Sequence, residues 1–212
     1  QIKEKSSCIL CGSTQNKVSF PYSIKFSESE FFYKRCSSCK CVFINPIPSD
    51  DDFEKIYQNE NYHEEHYVDV DLSEYEASVG LLSKYISNDD AKVLDYGCGY
   101  GHFLKALQNN KFQAEGLEFD ESASIKAEHY SGCKVYPVNK LINIEKNSFN
   151  VLHLGDVLEH LPNPLQTLKK LIGILDTNGI IFIEGPLETN PSPVYWAAKL
   201  FGLIKKIFLQ KE

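Results

Sequence analysis

From residue 92 onward the chain alternates short apolar segments with longer amphipathic ones. The apolar segments have the length and composition of buried strands, and helical patterns stand between most of them. Parallel strands joined by helices form a sheet that helices cover on both faces. This half of the sequence therefore predicts an α/β fold with a doubly wound parallel sheet. The predicted strands are residues 92–96, 113–118, 134–137, 150–154 and 180–184, and the predicted helices are residues 102–109, 121–130 and 164–175.

A loop with three glycines follows the first predicted strand, and its spacing separates two classes of nucleotide-binding site. The loop reads Gly97-x-Gly99-x-Gly101, whereas dinucleotide-binding folds use G-x-G-x-x-G. Asp95 precedes the loop, where a carboxylate disfavours a pyrophosphate but favours a ligand with ammonium and sulfonium groups. Because glycine lets a nucleoside approach the backbone closely, the loop predicts a site for a positively charged nucleoside.

Glu118 ends the second predicted strand, so the β-α-β order brings it to the same edge of the sheet as the glycine loop. A carboxylate at this place can accept hydrogen bonds from both hydroxyl groups of a ribose. We expect its side chain to point into the ligand cleft rather than into the core. The alternative is a structural glycine turn beside a surface glutamate, and the complete β-α-β context weighs against it.

Four segments, in this order along the chain, resemble the sequence motifs of the class I S-adenosylmethionine-dependent methyltransferases. Residues 93–101 resemble the first motif, and residues 116–118 resemble the second, acidic motif. Residues 148–161 resemble the fourth-strand motif, and residues 175–181 are similar to the turn and strand usually written L-x-P-G-G. The resemblance implies a Rossmann-like fold, S-adenosylmethionine as the cofactor and methyl transfer as the reaction.

The resemblance also assigns cofactor-binding roles to residues near the predicted carboxyl ends of the strands. The assigned residues are Asp95, Gly97, Gly99 and Gly101 for the methionine and ribose parts, Glu118 for the ribose hydroxyls, Asn139 and Leu141 near the adenine, and Gly155 and Asp156 beneath the methyl donor. Many members of the family carry an acid near the adenine, and this chain has none at the two positions assigned there.

Methyl transfer from a sulfonium depends on alignment and on exclusion of water, since the methyl group is already activated. A catalytic base is needed only where the acceptor must lose a proton. The candidates for this base are Asp156, Glu159 and His160 and, from the segment before the sheet, Tyr62, His63 and His66. For Glu159 and His160, the alternatives are charge pairing at a helix start and local hydrogen bonds.

Two Cys-x-x-Cys pairs mark the N-terminal segment, Cys8 with Cys11 and Cys36 with Cys39. Each pair folds a tight turn that directs two thiolates at one point, and two such turns together form a tetrahedral Zn²⁺ site. A redox pair usually stands alone before a helix, and disulfides fit poorly with a chain that shows no signal peptide. The pairs therefore predict a structural zinc ribbon over residues 1–45, with the metal supplying folding energy that so small a segment lacks.

Pro46 and Pro48 end the predicted ribbon, and Ser49 followed by acidic residues is typical of a helix start. A second helix is predicted over residues 72–86. The segment after Glu184 is too short for the helix and hairpin that complete the sheet in this family, so we expect the core to be incomplete at its C-terminus. The predicted domains are the zinc ribbon at 1–45, a helical connector at 46–90 and the S-adenosylmethionine-binding core at 91–212.

The net charge of −7 gives the chain no general attraction for nucleic acid. Residues 36–48 resemble the end of the zinc ribbon that precedes small-molecule methyltransferases, including those that act on nucleotide-linked sugars. We therefore predict a small-molecule acceptor, such as a sugar nucleotide or another biosynthetic intermediate. An RNA methyltransferase that reads RNA with the ribbon and a non-catalytic cofactor-binding or scaffold protein stay open as alternatives.

No apolar run in the sequence reaches the ~20 residues that a transmembrane helix needs, and the N-terminus lacks the apolar core of a signal peptide. We therefore expect a cytoplasmic location. The amphipathic segment 194–209 predicts a helix that covers the sheet, with membrane-surface contact or a substrate lid as alternatives.

Overall fold

The computed structural model describes residues 6–26, 29–49, 71–87 and 91–185, together with residues 51–52, 55, 193, 196–197 and 199–201. The chain divides into two compact units, one formed by residues 1–59, 162–165 and 186–212 and the other by residues 60–161 and 166–185. The candidates Tyr62, His63 and His66 lie outside the described residues, as does most of the predicted helix 194–209.

The N-terminal unit contains an antiparallel sheet of three strands. They are β1 at Asn16–Phe26, β2 at Ser29–Cys36 and β3 at Val42–Asn45. The strands lie in the order β1-β2-β3. Cys8, Cys36 and Phe43 form a small buried cluster in this unit. Short hairpins and paired cysteines therefore occur together in this unit, as the sequence predicts.

The helix start predicted at Ser49 is confirmed by reciprocal hydrogen bonds with Asp52. The backbone N–H of Asp52 donates to Ser49 Oγ at 3.2 Å, and the backbone N–H of Ser49 donates to Asp52 Oδ2 at 3.0 Å. This arrangement is a capping box, which satisfies two backbone donors at a helix N-terminus.

The second unit is built on a parallel sheet of five strands. They are β4 at Lys92–Tyr96, β5 at Gln113–Glu118, β6 at Lys134–Pro137, β7 at Phe149–Gly155 and β8 at Leu175–Glu184. Their order is β6-β5-β4-β7-β8, so the chain winds outward to β6 and then returns to place β7 on the other side of β4. The predicted doubly wound α/β fold is confirmed. Its switch point lies between β4 and β7, where such sheets bind ligands beyond the carboxyl ends of the strands.

Four α-helices are described after residue 71. They are α1 at Ser73–Leu82, α2 at His102–Asn109, α3 at Glu121–Ser131 and α4 at Pro164–Ile172, and short 3₁₀ helices cover Val138–Asn143 and Leu158–His160. α1 is shorter than the predicted helix 72–86, because residues 83–85 form turns. Among the described residues, no helix combines the length and the apolar character needed to traverse a lipid bilayer.

β8 begins at Leu175, well before the predicted start of the fifth strand. Its pairing with β7 is irregular between Phe149 and Val151, so extra residues of β8 bulge out of the ladder. Gly179 belongs to this bulge, and a Cβ there would lie 2.5 Å from the Leu175 side chain. The strand thus extends across residues 176–179, where the sequence motif indicates a turn, and these residues bulge out of the ladder.

Apolar side chains of the parallel sheet alternate between two buried clusters, as the period of a strand requires. Val93 belongs to the cluster that contains Val79 of α1 and Phe103 of α2. Leu94, the next residue of β4, belongs to the cluster that contains Leu171 of α4. α1, which the sequence analysis assigns to the connector, thus packs into the core of the sheet.

Candidate functional site

The loop between β4 and α2 has three glycines with positive φ, 80° at Gly97, 53° at Gly99 and 83° at Gly101. Residues with a side chain rarely adopt this conformation. A Cβ on Gly97 would lie 2.6 Å from Cγ2 of Val157, and one on Gly101 would lie 3.0 Å from the backbone of Ala127 in α3. Glycine therefore lets the loop turn tightly against α3 and the segment after β7.

Glu118, at the end of β5, binds the glycine loop directly. Its Oε2 accepts the backbone N–H of Gly99 at 2.7 Å, and its Oε1 accepts the N–H groups of Phe119 at 2.6 Å and Asp120 at 3.1 Å. The residue is only 5% exposed. Three backbone donors hold the carboxylate at the glycine loop, and its direction toward a ligand cleft stays a prediction.

Asp95, at the end of β4, belongs to a buried polar network that extends to β8. Its Oδ1 lies 2.7 Å from Nδ1 of His153 on β7, and Nε2 of His153 lies 3.2 Å from Oε2 of Glu184 on β8. Ser78 Oγ of α1 donates to Oε1 of Glu184 at 2.6 Å. Asp95 is 2% exposed and His153 is 4% exposed. The carboxylate assigned to the cofactor therefore has an imidazole as its direct partner.

The charges of this network stabilise one another. Burial alone would lower the pKa of His153, but the carboxylates of Asp95 and Glu184 outweigh it and raise that pKa to about 9. The hydrogen bond from His153 in turn lowers the pKa of Glu184 below its ordinary value. The Phe103 ring stacks on the imidazole at 3.8 Å between centroids. The two carboxylates and the aromatic ring therefore favour the protonated form of His153.

Tyr75 of α1 lies in the field of the same carboxylates. Burial raises the pKa of its phenol, and the charges of Asp95 and Asp156 raise it further. Its ring stacks on His102, the first residue of α2, at 5.6 Å between centroids. α1 therefore contributes Tyr75 and Ser78 to the carboxyl edge of the sheet.

The end of β7 brings two of the candidate bases together. Asp156 has a φ of 51°, rare for a residue with a side chain, and its backbone N–H donates to the carbonyl of Glu184 at 3.1 Å. A Cβ added at Gly185 would lie 3.7 Å from Asp156 Oδ1 and 3.7 Å from Glu159 Oε1. These two carboxylates thus converge at the end of β8. His160 is exposed and ends the same 3₁₀ helix as Glu159.

The residues assigned to the adenine lie in the 3₁₀ helix that follows β6. Asn139 is exposed, whereas Leu141 packs against the buried cluster that contains Leu94. Phe119 directly follows Glu118 and is 57% exposed. Its ring meets Tyr96 edge-on at 5.5 Å between centroids. An exposed aromatic face thus stands next to the acid assigned to the ribose.

Sequence reasoning missed several polar and aromatic residues of this edge. His153 and Glu184 stand inside apolar strands and look like core positions when the chain is taken alone. The alignment of β4 with β7, which pairs Asp95 with His153, is the signal that could have found the first of them. The missed residues are Tyr75, Ser78, Phe119, His153 and Glu184.

The four paired cysteines of the N-terminal unit converge on one point. The sulfur atoms of Cys8, Cys11, Cys36 and Cys39 all lie within 4.8 Å of one another. Cys8 and Cys39 are 3.5 Å apart, and Cys11 and Cys36 are 3.6 Å apart. A tetrahedron with Zn–S bonds of about 2.3 Å has S–S edges of about 3.8 Å. The donor set and its spacing therefore fit one tetrahedral metal ion, and Cys41 is not part of it.

The chain is similar to curated proteins named ubiquinone biosynthesis O-methyltransferase. It is 27% identical to the one from Bordetella avium over 113 residues, which is 50% of this chain and 46% of that protein. It is 24% identical to the one from Stutzerimonas stutzeri over 131 residues, which is 58% of this chain and 55% of that protein. The chain thus spans about half the length of the curated relatives it matches.

Solved structures are also similar to this chain. A SAM dependent methyltransferase from Archaeoglobus fulgidus is 20% identical, with a TM-score of 0.48, over 64% of this chain and 68% of that one.

A family model described as a methyltransferase domain matches residues 65–204. This range is more than half of the chain, and it contains the glycine loop, Glu118 and the convergent carboxylates. The resemblance found in the sequence motifs is confirmed. The chain therefore belongs to this methyltransferase domain family.

Proposed function

We propose that this chain binds S-adenosylmethionine at the carboxyl ends of β4 and β5 and transfers its methyl group to a small-molecule acceptor. The observation that carries the proposal is the Glu118 carboxylate, 2.7 Å from the backbone N–H of Gly99. The spacing Gly97-x-Gly99-x-Gly101, with Asp95 before it, argues against a dinucleotide. The Glu118 carboxylate suits a nucleoside that offers hydroxyl groups and carries positive charge.

The residues around Glu118 fit a ribose and an adenine. Glu118 places a carboxylate at the glycine loop, and we propose that the ribose hydroxyls donate to it. The exposed ring of Phe119 offers an apolar face for a base, and Asn139 offers amide groups for its edge.

The methionine part of the cofactor is proposed to bind beside Asp95. Its Oδ1 lies 2.7 Å from Nδ1 of His153, and a carboxylate attracts an ammonium group. The backbone at Gly97, Gly99 and Gly101, which carries no side chain to obstruct a close approach, completes the proposed cradle. In this arrangement Gly155 and Asp156, at the end of β7, lie beneath the methyl donor.

The proposed reaction is methyl transfer from the bound cofactor to an acceptor. When bound, S-adenosylmethionine supplies a methyl group on a sulfonium that needs no further activation. The residues of the chain then align the acceptor with it and exclude water. Asp156 and Glu159, both near Gly185, are the proposed bases for an acceptor that must lose a proton. His160 stays a third candidate for this base.

The acceptor is proposed to be a hydroxyl-bearing biosynthetic intermediate, with a sugar nucleotide as one such class. Two observations support a small acceptor. The net charge is −7, which gives no general attraction for RNA. The curated relatives are named as O-methyltransferases of ubiquinone biosynthesis, and an O-methyltransferase uses a base to take the hydroxyl proton.

We further propose that the four converging thiolates hold one structural Zn²⁺. Structural zinc sites are closed four-coordinate sites, and four cysteines leave no position open for a substrate. The second buried cysteine pair, Cys98 and Cys133, lies in the core of the parallel sheet unit and is not part of this site.

Calorimetry on the chain tests the proposed function. S-adenosylmethionine and NAD are titrated separately into the protein. We expect one site for S-adenosylmethionine and no heat from NAD. Binding of NAD, or no binding of S-adenosylmethionine to folded protein, would contradict the proposal.

A further inference from the structure

His153 of β7 is a buried histidine whose two ring nitrogens each face a carboxylate, and the proposed methyl transfer gives it no role so far. We propose that it is a positioning residue, whose doubly protonated ring fixes Asp95 on the donor side and Glu184 on the acceptor side. The inference rests on the proposed function, because it takes Asp95 to be the partner of the cofactor ammonium group.

The geometry suits an imidazolium, with a proton on each ring nitrogen. Nδ1 lies 2.7 Å from Asp95 and Nε2 lies 3.2 Å from Glu184. A neutral imidazole has one N–H and can donate to only one of the two carboxylates, whereas the imidazolium donates to both. Ser78 donates to the other oxygen of Glu184 at 2.6 Å, which stabilises that carboxylate in its ionised form.

The surroundings of the ring offer no substitute for this charge among the described residues. Phe103 stacks on the ring at 3.8 Å and Phe182 lies at 5.5 Å between centroids, and both are uncharged. The charged groups that face it are Asp95 from β4 and Glu184 from β8, while α1 contributes the neutral hydroxyl of Ser78 next to Glu184. Without a donor at Nδ1, the buried carboxylate of Asp95 would lose the partner that holds it at 2.7 Å.

The hydrogen bonds of His153 connect the proposed donor side of the site with the proposed acceptor side. Asp95 stands two residues before Gly97, at the start of the glycine loop. Glu184 is followed by Gly185, where the carboxylates of Asp156 and Glu159 converge. One ring therefore determines the placement of an acid beside the proposed donor and of an acid beside the proposed acceptor.

A matched pair of substitutions separates the two links. His153→Asn places its amide near the position of Nδ1, so it can still donate to Asp95 but cannot reach Glu184. His153→Gln places its amide near Nε2, so it can still donate to Glu184 but leaves Asp95 without a donor. In calorimetry with S-adenosylmethionine, we expect His153→Gln to raise Kd by about tenfold or more and His153→Asn to raise it less than threefold. Glu115→Ala, which removes a partly exposed ion pair with Lys92 outside this network, should bind like the parent.

Nitrogen NMR of the parent chain tests the protonation directly. With ¹⁵N-labelled histidine, and with the ring assigned through its contacts to Phe103, His153 should show two protonated nitrogens at pH 7.5. A neutral ring at that pH would overturn the inference, and so would Asn and Gln variants that bind as tightly as the parent. If neither variant folds, the NMR result decides. A folded parent that does not bind S-adenosylmethionine would overturn the proposed function and the inference with it. A parent that binds, with variants that bind equally well, would overturn the inference alone.

Discussion

Glu118 and Asp95, the two acids beside the glycine loop, have different hydrogen-bond partners. This difference determines which of them can be substituted in a binding experiment. Three backbone N–H groups bind Glu118, whereas the imidazolium of His153 binds Asp95. Removing Asp95 would leave a buried cation without its closer partner, which typically costs about 3–5 kcal/mol. Removing Glu118 leaves only neutral donors unpaired. Glu118 is therefore the better residue for a binding experiment on protein that still folds.

Glu118→Ala should weaken S-adenosylmethionine binding by about tenfold or more. A hydrogen bond to a charged group is worth roughly 1.5–3 kcal/mol, and about 1.4 kcal/mol is one decade of affinity. Some stability is also lost, because the N–H of Gly99 loses its acceptor. Calorimetry and thermal unfolding measure the two effects separately.

Glu115→Ala is the matched control for that experiment. Glu115 lies on the same strand and forms a partly exposed ion pair with Lys92 at 2.8 Å, away from the glycine loop. Its removal should change stability little and leave the affinity unchanged. Equal affinity of Glu118→Ala and the parent would show that the acid of this strand has been misassigned.

Stability should depend on pH through His153. Its pKa is raised from 6.5 to about 9 in the folded state by Asp95 and Glu184, against the effect of burial. The stabilisation is therefore complete below about pH 6.5 and is lost as the pH rises through about 9, by roughly 3 kcal/mol. Urea unfolding at pH 6.5, 8 and 9.5 measures this loss. His153→Gln lacks the titrating ring, so its free energy of unfolding should change less with pH. If the variant and the parent lose equal stability over this pH range, His153 is not the cause of the loss.

At the scale of elements, local signals predict some parts of the fold well and others poorly. α2 has the predicted bounds, because Gly101 with its positive φ directly precedes an amphipathic run. β8 does not, because its pairing with β7 extends the strand across residues that have the composition of a turn. The bulge depends on a partner strand and not on local propensity. Elements whose ends are set by neighbours are therefore those that the sequence alone misplaces.

The N-terminal unit should contain one tightly bound zinc ion per chain. Replacing any of Cys8, Cys11, Cys36 or Cys39 with serine should unfold this unit, because so small a core depends on the metal for its folding energy. The parallel sheet unit should stay folded. Elemental analysis and circular dichroism measure the two effects, and Cys41→Ser, which leaves the cluster intact, should retain the metal. Freshly purified parent protein without zinc would rule out the proposed metal.

At the scale of the molecule, the candidate site could be predicted only in part because it is assembled from separate strands. The glycine loop and Glu118 are adjacent to recognisable motifs, so their residues were found directly. His153 and Glu184 meet Asp95 only because β7 and β8 lie on the far side of β4. That order is a property of the whole sheet, and no local pattern around His153 indicates it. The interactions that cross strands are therefore the ones that required a structure.

The two units should respond to different ligands. S-adenosylmethionine at about 100 times its Kd should stabilise the parallel sheet unit by about 2.7 kcal/mol, since it binds only the folded form. A zinc chelator should instead destabilise the N-terminal unit. Hydrogen exchange with mass spectrometry resolves the two effects along the chain. We expect protection around the glycine loop and the end of β5 with the first ligand, and faster exchange in β1, β2 and β3 with the chelator. A chelator that accelerates exchange equally in β4 and β5 would contradict this prediction, because the metal would then stabilise the parallel sheet as well.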